Sequence, residues 1–310
     1  MEKILIMSSQ KQKILILGVT GMLGHTLYKE MSKREGAYEI YGTTRNATGL
    51  DNYFTIEEIQ SIRSGVDADN FDTVIKAIAS VQPNIIINCI GIIKQLPIAN
   101  DPLTAITVNA QLPHRISLVA RSANARLIHI STDCVFNGVK GNYTEKDPSN
   151  AEDLYGRSKF LGEVSYPHCV TLRTSIIGHE LKTEFSLIDW FMSQKDEING
   201  FTKAIYSGFP TYEMVNIITN YVIPNKELSG LYHVSSNAIS KYDLLKIMKD
   251  VYGKDIKIIP YDDFILDRSL NSDRFQSITG YKAPSWKSML SDMYNHVMSD
   301  DCYKNKSFRK

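Results

Sequence analysis

An apolar run, Ile14-Leu15-Ile16-Leu17, stops at Gly18, and Gly21 and Gly24 follow at three-residue spacing before a helical stretch to about Lys33. A short apolar run bounded by glycine reads as a buried strand, and the glycines let the chain turn sharply into a helix. They also allow close backbone approach to a pyrophosphate, which the N–H groups at the start of a helix are suited to hold. Gly18, Met22, Leu23 and the other two glycines are therefore candidate dinucleotide contacts. The spacing is G-x-x-G-x-x-G rather than G-x-G-x-x-G, but the mechanics are similar. A strand–turn–helix unit at this place points to an α/β sheet.

The same rhythm runs through the first half. Strands are predicted over residues 13–18, 39–43, 84–89, 127–131 and 169–173, with a short one near Val66. Helices are predicted over residues 71–81, 104–122 and 155–163. This alternation argues for a parallel sheet covered on both faces. From about Gly178 the rhythm changes to a helix over 185–193, a strand over 230–235 and a helix over 240–252, with Ser240 as its N-cap. Residues 1–12 read as an extension ahead of the first strand.

Composition closes several alternatives. A chain of 310 residues, 43% of them hydrophobic, can bury a large core. Its formal net charge of +1 offers no footprint for nucleic acid or an anionic membrane. The basic tail from Lys304 to Lys310 reads as a short solvated terminus. Cys89, Cys134, Cys169 and Cys302 lack Cys-x-x-Cys spacing, so reduced thiols are expected, and no cluster commits the chain to a metal. No stretch approaches the roughly 20 apolar residues of a membrane span. A soluble cytoplasmic protein is the expectation.

Two further patterns carry chemistry. Tyr155 and Lys159 stand four residues apart, on one face of a predicted helix. A phenol with its ordinary pKa of roughly 10 is a poor acid or base at neutral pH, and a neighbouring ammonium draws it toward the working range. Just upstream, the apolar strand at 127–131 ends in Ser131, Thr132 and Asp133, and ligands of parallel α/β sheets bind beyond the carboxyl ends of strands.

Gly18, Gly21, Gly24, Ser131, Thr132, Asp133, Tyr155 and Lys159, in this order, resemble the extended short-chain dehydrogenase/reductases. Thr107 and Asn109, residues 130–138, 154–159 and 172–175, and Gly280, Tyr281, Pro284 and Trp286 narrow the resemblance to the dTDP-4-dehydrorhamnose reductase branch. The resemblance spans residues 13 to about 293. It implies a Rossmann-like, doubly wound parallel sheet over 13–177 and a smaller C-terminal α/β substrate-binding region over 178–310. Some of the latter, about 205–236, is expected to return to the first domain. It also implies an NAD(P)H-dependent reductase of a nucleotide-linked 4-keto sugar, supplying precursors for cell-surface polysaccharide, and a homodimer.

By the same resemblance Tyr155 donates the proton, Lys159 lowers its pKa and bonds the nicotinamide ribose, and Thr132 polarises the carbonyl, with Ser131 the lesser candidate. Asn88, Cys89 and Gly91 follow a strand and line the dinucleotide, and Asp67 accepts from the adenine amine. After the second strand, Thr43-Thr44-Arg45 contains no carboxylate for a ribose 2′-OH, and Arg45 suits a 2′-phosphate, which favours NADPH over NADH.

Departures from the branch bear on the sugar. Cys134 replaces a Tyr and Ile176 an aromatic Trp, both facing the sugar in the branch. Residues 132–134, 176–180 and 267–270 are more similar to reductases of UDP-linked 2-acetamido-2,6-dideoxy-4-keto-hexoses. Ser175, His179 and Arg268 join Cys134 as candidate substrate contacts. Two alternatives stay open. Cys134 and His179 resemble the pair with which GDP-fucose synthase epimerises before reduction, and a thiolate and an imidazole suit that chemistry. The branch also includes a non-catalytic NADP-binding regulator of methionine adenosyltransferase. Retention of Thr132, Tyr155 and Lys159 favours an enzyme, and the absence of a Glu at position 134 argues against a 4,6-dehydratase.

Overall fold

The computed structural model describes residues 11–34, 36, 38–304 and 306. Most of the expected N-terminal extension and most of the basic tail lie outside the described residues. Six strands, β1 (Gln12–Leu17), β2 (Tyr38–Thr43), β3 (Ile62–Arg63), β4 (Ile85–Asn88), β5 (Arg126–Thr132) and β6 (Cys169–Thr174), join a seventh, Gly230–His233, in one parallel sheet. From one edge the order is Gly230–His233, β6, β5, β4, β1, β2, β3. The chain starts at the centre, builds outward to β3, then crosses back to add β4, β5 and β6. That reversal leaves a crevice beside the carboxyl ends of β1 and β4, where ligands of such sheets bind.

The central strands are buried on both faces, which is why they read as continuous apolar runs. Ile14 and Ile16 pack on one side with residues as distant as Met293 and Tyr303, and Leu15 and Leu17 pack on the other with helix Phe71–Val81. One core thus runs from the sheet into the C-terminal region. Beyond β6 the chain forms small sheets, including Ala204–Tyr206 between Ile239–Ser240 and Leu266–Asp267.

Two details differ from the sequence reading. The third strand lies at Ile62–Arg63, ahead of Val66, whose N–H then bonds the Thr44 carbonyl past the strand. The helix expected over 104–122 is a rod in three parts: Pro102–Ala105, a π-helical stretch Ile106–Gln111, and Leu112–Ser122. A π-turn widens a helix locally and re-aims its side chains, a change that apolar periodicity does not register. Among the described residues no helix is long and apolar enough to cross a membrane, and no group of three His, Cys, Asp or Glu could hold a metal.

Candidate active site

The glycine turn forms a cradle that side chains would fill. Gly18 has φ +85°, a left-handed conformation that disfavours a Cβ. A Cβ on Gly24 would lie 2.1 Å from the Gly18 carbonyl oxygen, so helix α1 (Met22–Ser32) can start this close to β1 only without one. Gly21 is the N-cap, and with no side-chain cap and no acid in the first turn the positive end of α1 is open to an anion. The Gly18 N–H is held by Thr43 Oγ1 at 3.1 Å, which ties the turn to the end of β2.

Around this cradle stand the other predicted dinucleotide residues. Arg45 is exposed two residues beyond β2. Asp67 lies in the loop before helix Phe71–Val81 and not at a strand end. One of its carboxylate oxygens accepts from Asp69 N at 3.2 Å, the bond of a turn residue. Asn88 is fully buried, accepts from Ile90 N at 3.1 Å and faces His129 Nδ1 at 3.1 Å, shaping the chain toward Gly91. Burial pushes the Cys89 thiol up to about 12, against the pull of Lys159. A Cβ on Gly91 would sit 3.8 Å from Lys159 Nζ, so this loop borders the lysine.

Thr132, Tyr155 and Lys159 come together at the carboxyl end of β5. Strand alternation sends Ser131 and Thr132 to opposite faces. The Ser131 hydroxyl donates to Glu163 at 2.7 Å, whereas the Thr132 hydroxyl accepts from Cys134 N at 3.1 Å, donates to Asp133 Oδ1 at 3.1 Å and stands near the Tyr155 phenol. Asp153 caps helix Leu154–Leu161 through Gly156 N at 2.7 Å and pairs with Lys94 at 2.6 Å. Gly156 lets that helix press on the turn after Thr132, because a Cβ there would meet the Cys134 carbonyl oxygen at 2.2 Å.

Electrostatics in this group depart from expectation. Burial, followed by the nearby Cys134, Asp133 and Asp153, raises the Tyr155 phenol, and the neighbouring Thr132 hydroxyl opposes this. The expected depression of the phenol by Lys159 is not seen. The ammonium instead donates to the Ile130 carbonyl at 2.8 Å, and burial lowers its own pKa to about 8 while Glu163 and Cys89 hold it up. Tyr155 is a protonated donor beside a lysine that titrates near neutrality.

The predicted substrate contacts divide. Cys134 is 3.4 Å from Arg268 Nη1, and Arg268 is anchored by a 2.8 Å bond from Nε to the Phe136 carbonyl. The segment from Asp267 to Leu270 carries Arg268 here by lacing onto the loop after Phe136: Asp267 N bonds the Gly138 carbonyl at 2.7 Å and Asn142 N bonds Ser269 Oγ at 2.8 Å. Ser175 is half-buried beside the Tyr206 hydroxyl, and Ile176 pairs with Phe209 in a short parallel bridge. The structure does not bring His179 to this group in a usable form. It is buried with Nδ1 2.5 Å from Asp189 and Nε2 2.8 Å from the Tyr252 hydroxyl, so both ring nitrogens have protein partners. Burial and Asp133 push the Cys134 thiol up to about 12, far from a thiolate at neutral pH.

Two supporting residues, Asp153 and Glu163, escaped the sequence reading, and a third, Asn109, entered it only as part of a motif without a role. Asn109, in the π-helical stretch, clamps Ile92 by its N–H at 2.9 Å and its carbonyl at 3.2 Å, and reaches Ser158 Oγ at 3.3 Å. Asp153 could have been read as an N-cap two residues before Tyr155. Glu163 stands four residues after Lys159 and holds buried Arg173 through two bonds of 2.7 and 2.6 Å.

Residues 12–299 match the family described as RmlD substrate binding domain. The dTDP-4-dehydrorhamnose reductase of Aggregatibacter actinomycetemcomitans is 28% identical over 243 residues, covering 74% of this chain and 76% of the relative. Methionine adenosyltransferase 2 subunit beta of Danio rerio is 26% identical over 255 residues, covering 78% and 74%. Among solved structures, dTDP-4-dehydrorhamnose reductase from Bacillus anthracis, determined in complex with NADP, superposes with a TM-score of 0.74 at 20% identity, over 93% of this chain and 100% of that one. With the family matched along nearly its whole length, the chain belongs to the RmlD substrate-binding domain family.

Proposed function

We propose that this chain is an NADPH-dependent reductase of the 4-keto group of a nucleotide-activated 6-deoxy sugar. The observation that carries this reading is the gathering of Thr132, Tyr155 and Lys159 at the carboxyl end of β5, with Lys159 one helical turn from Tyr155 and bonded to the Ile130 carbonyl. The glycine cradle fits a dinucleotide pyrophosphate, since it combines a positive-φ turn, an approach that a Cβ would block, and an uncapped helix start. Gly18, Gly21, Met22, Leu23 and Gly24 would hold it, with Arg45 at a 2′-phosphate. When bound, the nicotinamide supplies hydride to the carbonyl carbon.

The protein's own part is to position the ketone and deliver a proton. Tyr155 donates to the ketone oxygen and Thr132 donates a second hydrogen bond, so the developing alkoxide meets two fixed donors. Lys159 in its charged form then stabilises the phenolate that Tyr155 becomes. Cys134 and Ile176, in place of larger aromatics, support a reshaped sugar pocket, and the preferred substrate is a UDP-2-acetamido-2,6-dideoxy-4-keto-hexose. His179, bonded on both nitrogens, and a protonated Cys134 favour simple reduction over epimerisation. Leu103, Ile106, Phe160 and Leu161, exposed on adjacent helices, support pairing with a second copy, and Leu161→Glu should then shift sedimentation to monomer.

NADPH oxidation with a panel of 4-keto sugar nucleotides tests the reading. The UDP-acetamido sugar should show the highest kcat/KM. A clear preference for the dTDP sugar would overturn the choice of sugar, and NADPH binding without oxidation of any substrate would point to a regulatory subunit.

A further inference from the structure

Two cations approach the turn after Thr132 from opposite sides of one short strand. Ala204–Tyr206 pairs antiparallel with Ile239–Ser240 and parallel with Leu266–Asp267, so Ser240 and Asp267 both partner Ile205. Lys241 and Arg268 are the next residues on the two flanks. Arg268 is anchored to Phe136 and Cys134 as described. Lys241 is half-buried and feels the charges of Asp133 and Arg268, yet its ammonium makes no hydrogen bond or ion pair among the described residues. It is also the first residue of the 12-residue helix Lys241–Tyr252, where the helix dipole disfavours a cation. Withdrawing an ammonium from water without a partner is unfavourable. Asp133, buried and facing both cations, supplies one carboxylate for two positive charges.

We propose that Lys241 and Arg268 form an anion site beside the Thr132–Cys134 turn, which takes a phosphate or carboxylate oxygen of the substrate. The reductase reading enters only in naming the molecule that brings the oxygen, either through its diphosphate or through a carboxylate on the sugar. Nothing in the sequence singled out Lys241, because its position is set by the strand pairing on both sides of Ile205.

Calorimetric titration of the full chain in the presence of NADP⁺ tests this, with inorganic pyrophosphate, UDP-glucose and UDP-glucuronate as probes. At least one probe should bind about tenfold or more weakly to Lys241→Gln, the scale of a charged hydrogen bond. Lys241→Arg should recover most of that affinity, and NADP⁺ binding should be unchanged in both variants. Equal losses for pyrophosphate and both sugar nucleotides assign the oxygen to the diphosphate. A loss confined to UDP-glucuronate assigns it to a sugar carboxylate. Wild-type affinity of Lys241→Gln for all three probes, or no binding of any by the wild type, overturns the proposal. Lys241-dependent pyrophosphate binding in a chain that reduces no keto sugar would leave the anion site standing and sink the reductase reading.

Discussion

The Lys159 ammonium donates to the Ile130 carbonyl at 2.8 Å and so ties the helix that carries Tyr155 to the strand that ends in Thr132. The lysine's place is set by the backbone of β5, whereas the phenol stands near the Thr132 hydroxyl without that tie. The proton donor and its charged support have different neighbours. They should therefore fail in different ways.

Removing the phenolic hydroxyl isolates the proton-transfer step. Tyr155→Phe keeps the ring and should lower turnover by about 10²-fold or more, the scale of general acid catalysis. NADPH affinity, measured by fluorescence titration, should be little changed. Near-normal turnover in this variant would remove Tyr155 from the mechanism.

The depressed pKa of Lys159 predicts an alkaline limit. As the ammonium loses its proton around pH 8, kcat/KM for NADPH should fall, since that ratio reports groups of the free enzyme. Stability moves the other way. The folded chain releases this proton near pH 8 and the unfolded chain near 10.5, so in that window the unfolded state binds more protons and the cost of burying Lys159 is relieved as pH rises. A profile flat to pH 9.5 would show that Lys159 keeps its charge.

Arg45 should decide between the two dinucleotides. Arg45→Ala is expected to weaken NADPH binding by about tenfold, one charged hydrogen bond, and to leave NADH nearly untouched. Parallel titrations with both cofactors check this, and equal losses would make Arg45 irrelevant to the 2′-phosphate.

Glu163 and Arg173 form a buried pair behind Ser131, with side chains 9% and 3% exposed. Glu163→Gln leaves the guanidinium without its counter-charge and should destabilise the fold by about 3 kcal/mol. Urea denaturation would register this as a lower midpoint with an unchanged slope. A midpoint equal to wild type would mean that His233, 3.2 Å from Arg173 Nη1, is partner enough.

By itself the sequence determined the α/β order, the glycine turn at Gly18, Gly21 and Gly24, and the pairing of Tyr155 with Lys159. Each depends on a local period: apolar runs for buried strands, glycine where a Cβ cannot fit, four residues for one helical face. Tertiary structure decided what depends on distant neighbours. Asn109 became a clamp only because the π-helical stretch faces Ile92 and Ser158. His179 was drawn into a buried network with Asp189 and Tyr252, because an imidazole out of water takes whatever partners the fold supplies. Lys241 and Arg268, 27 positions apart, flank one short strand because the residues before them, Ser240 and Asp267, both pair with Ile205. The direction of each pKa followed from burial, which no spacing in the chain specifies.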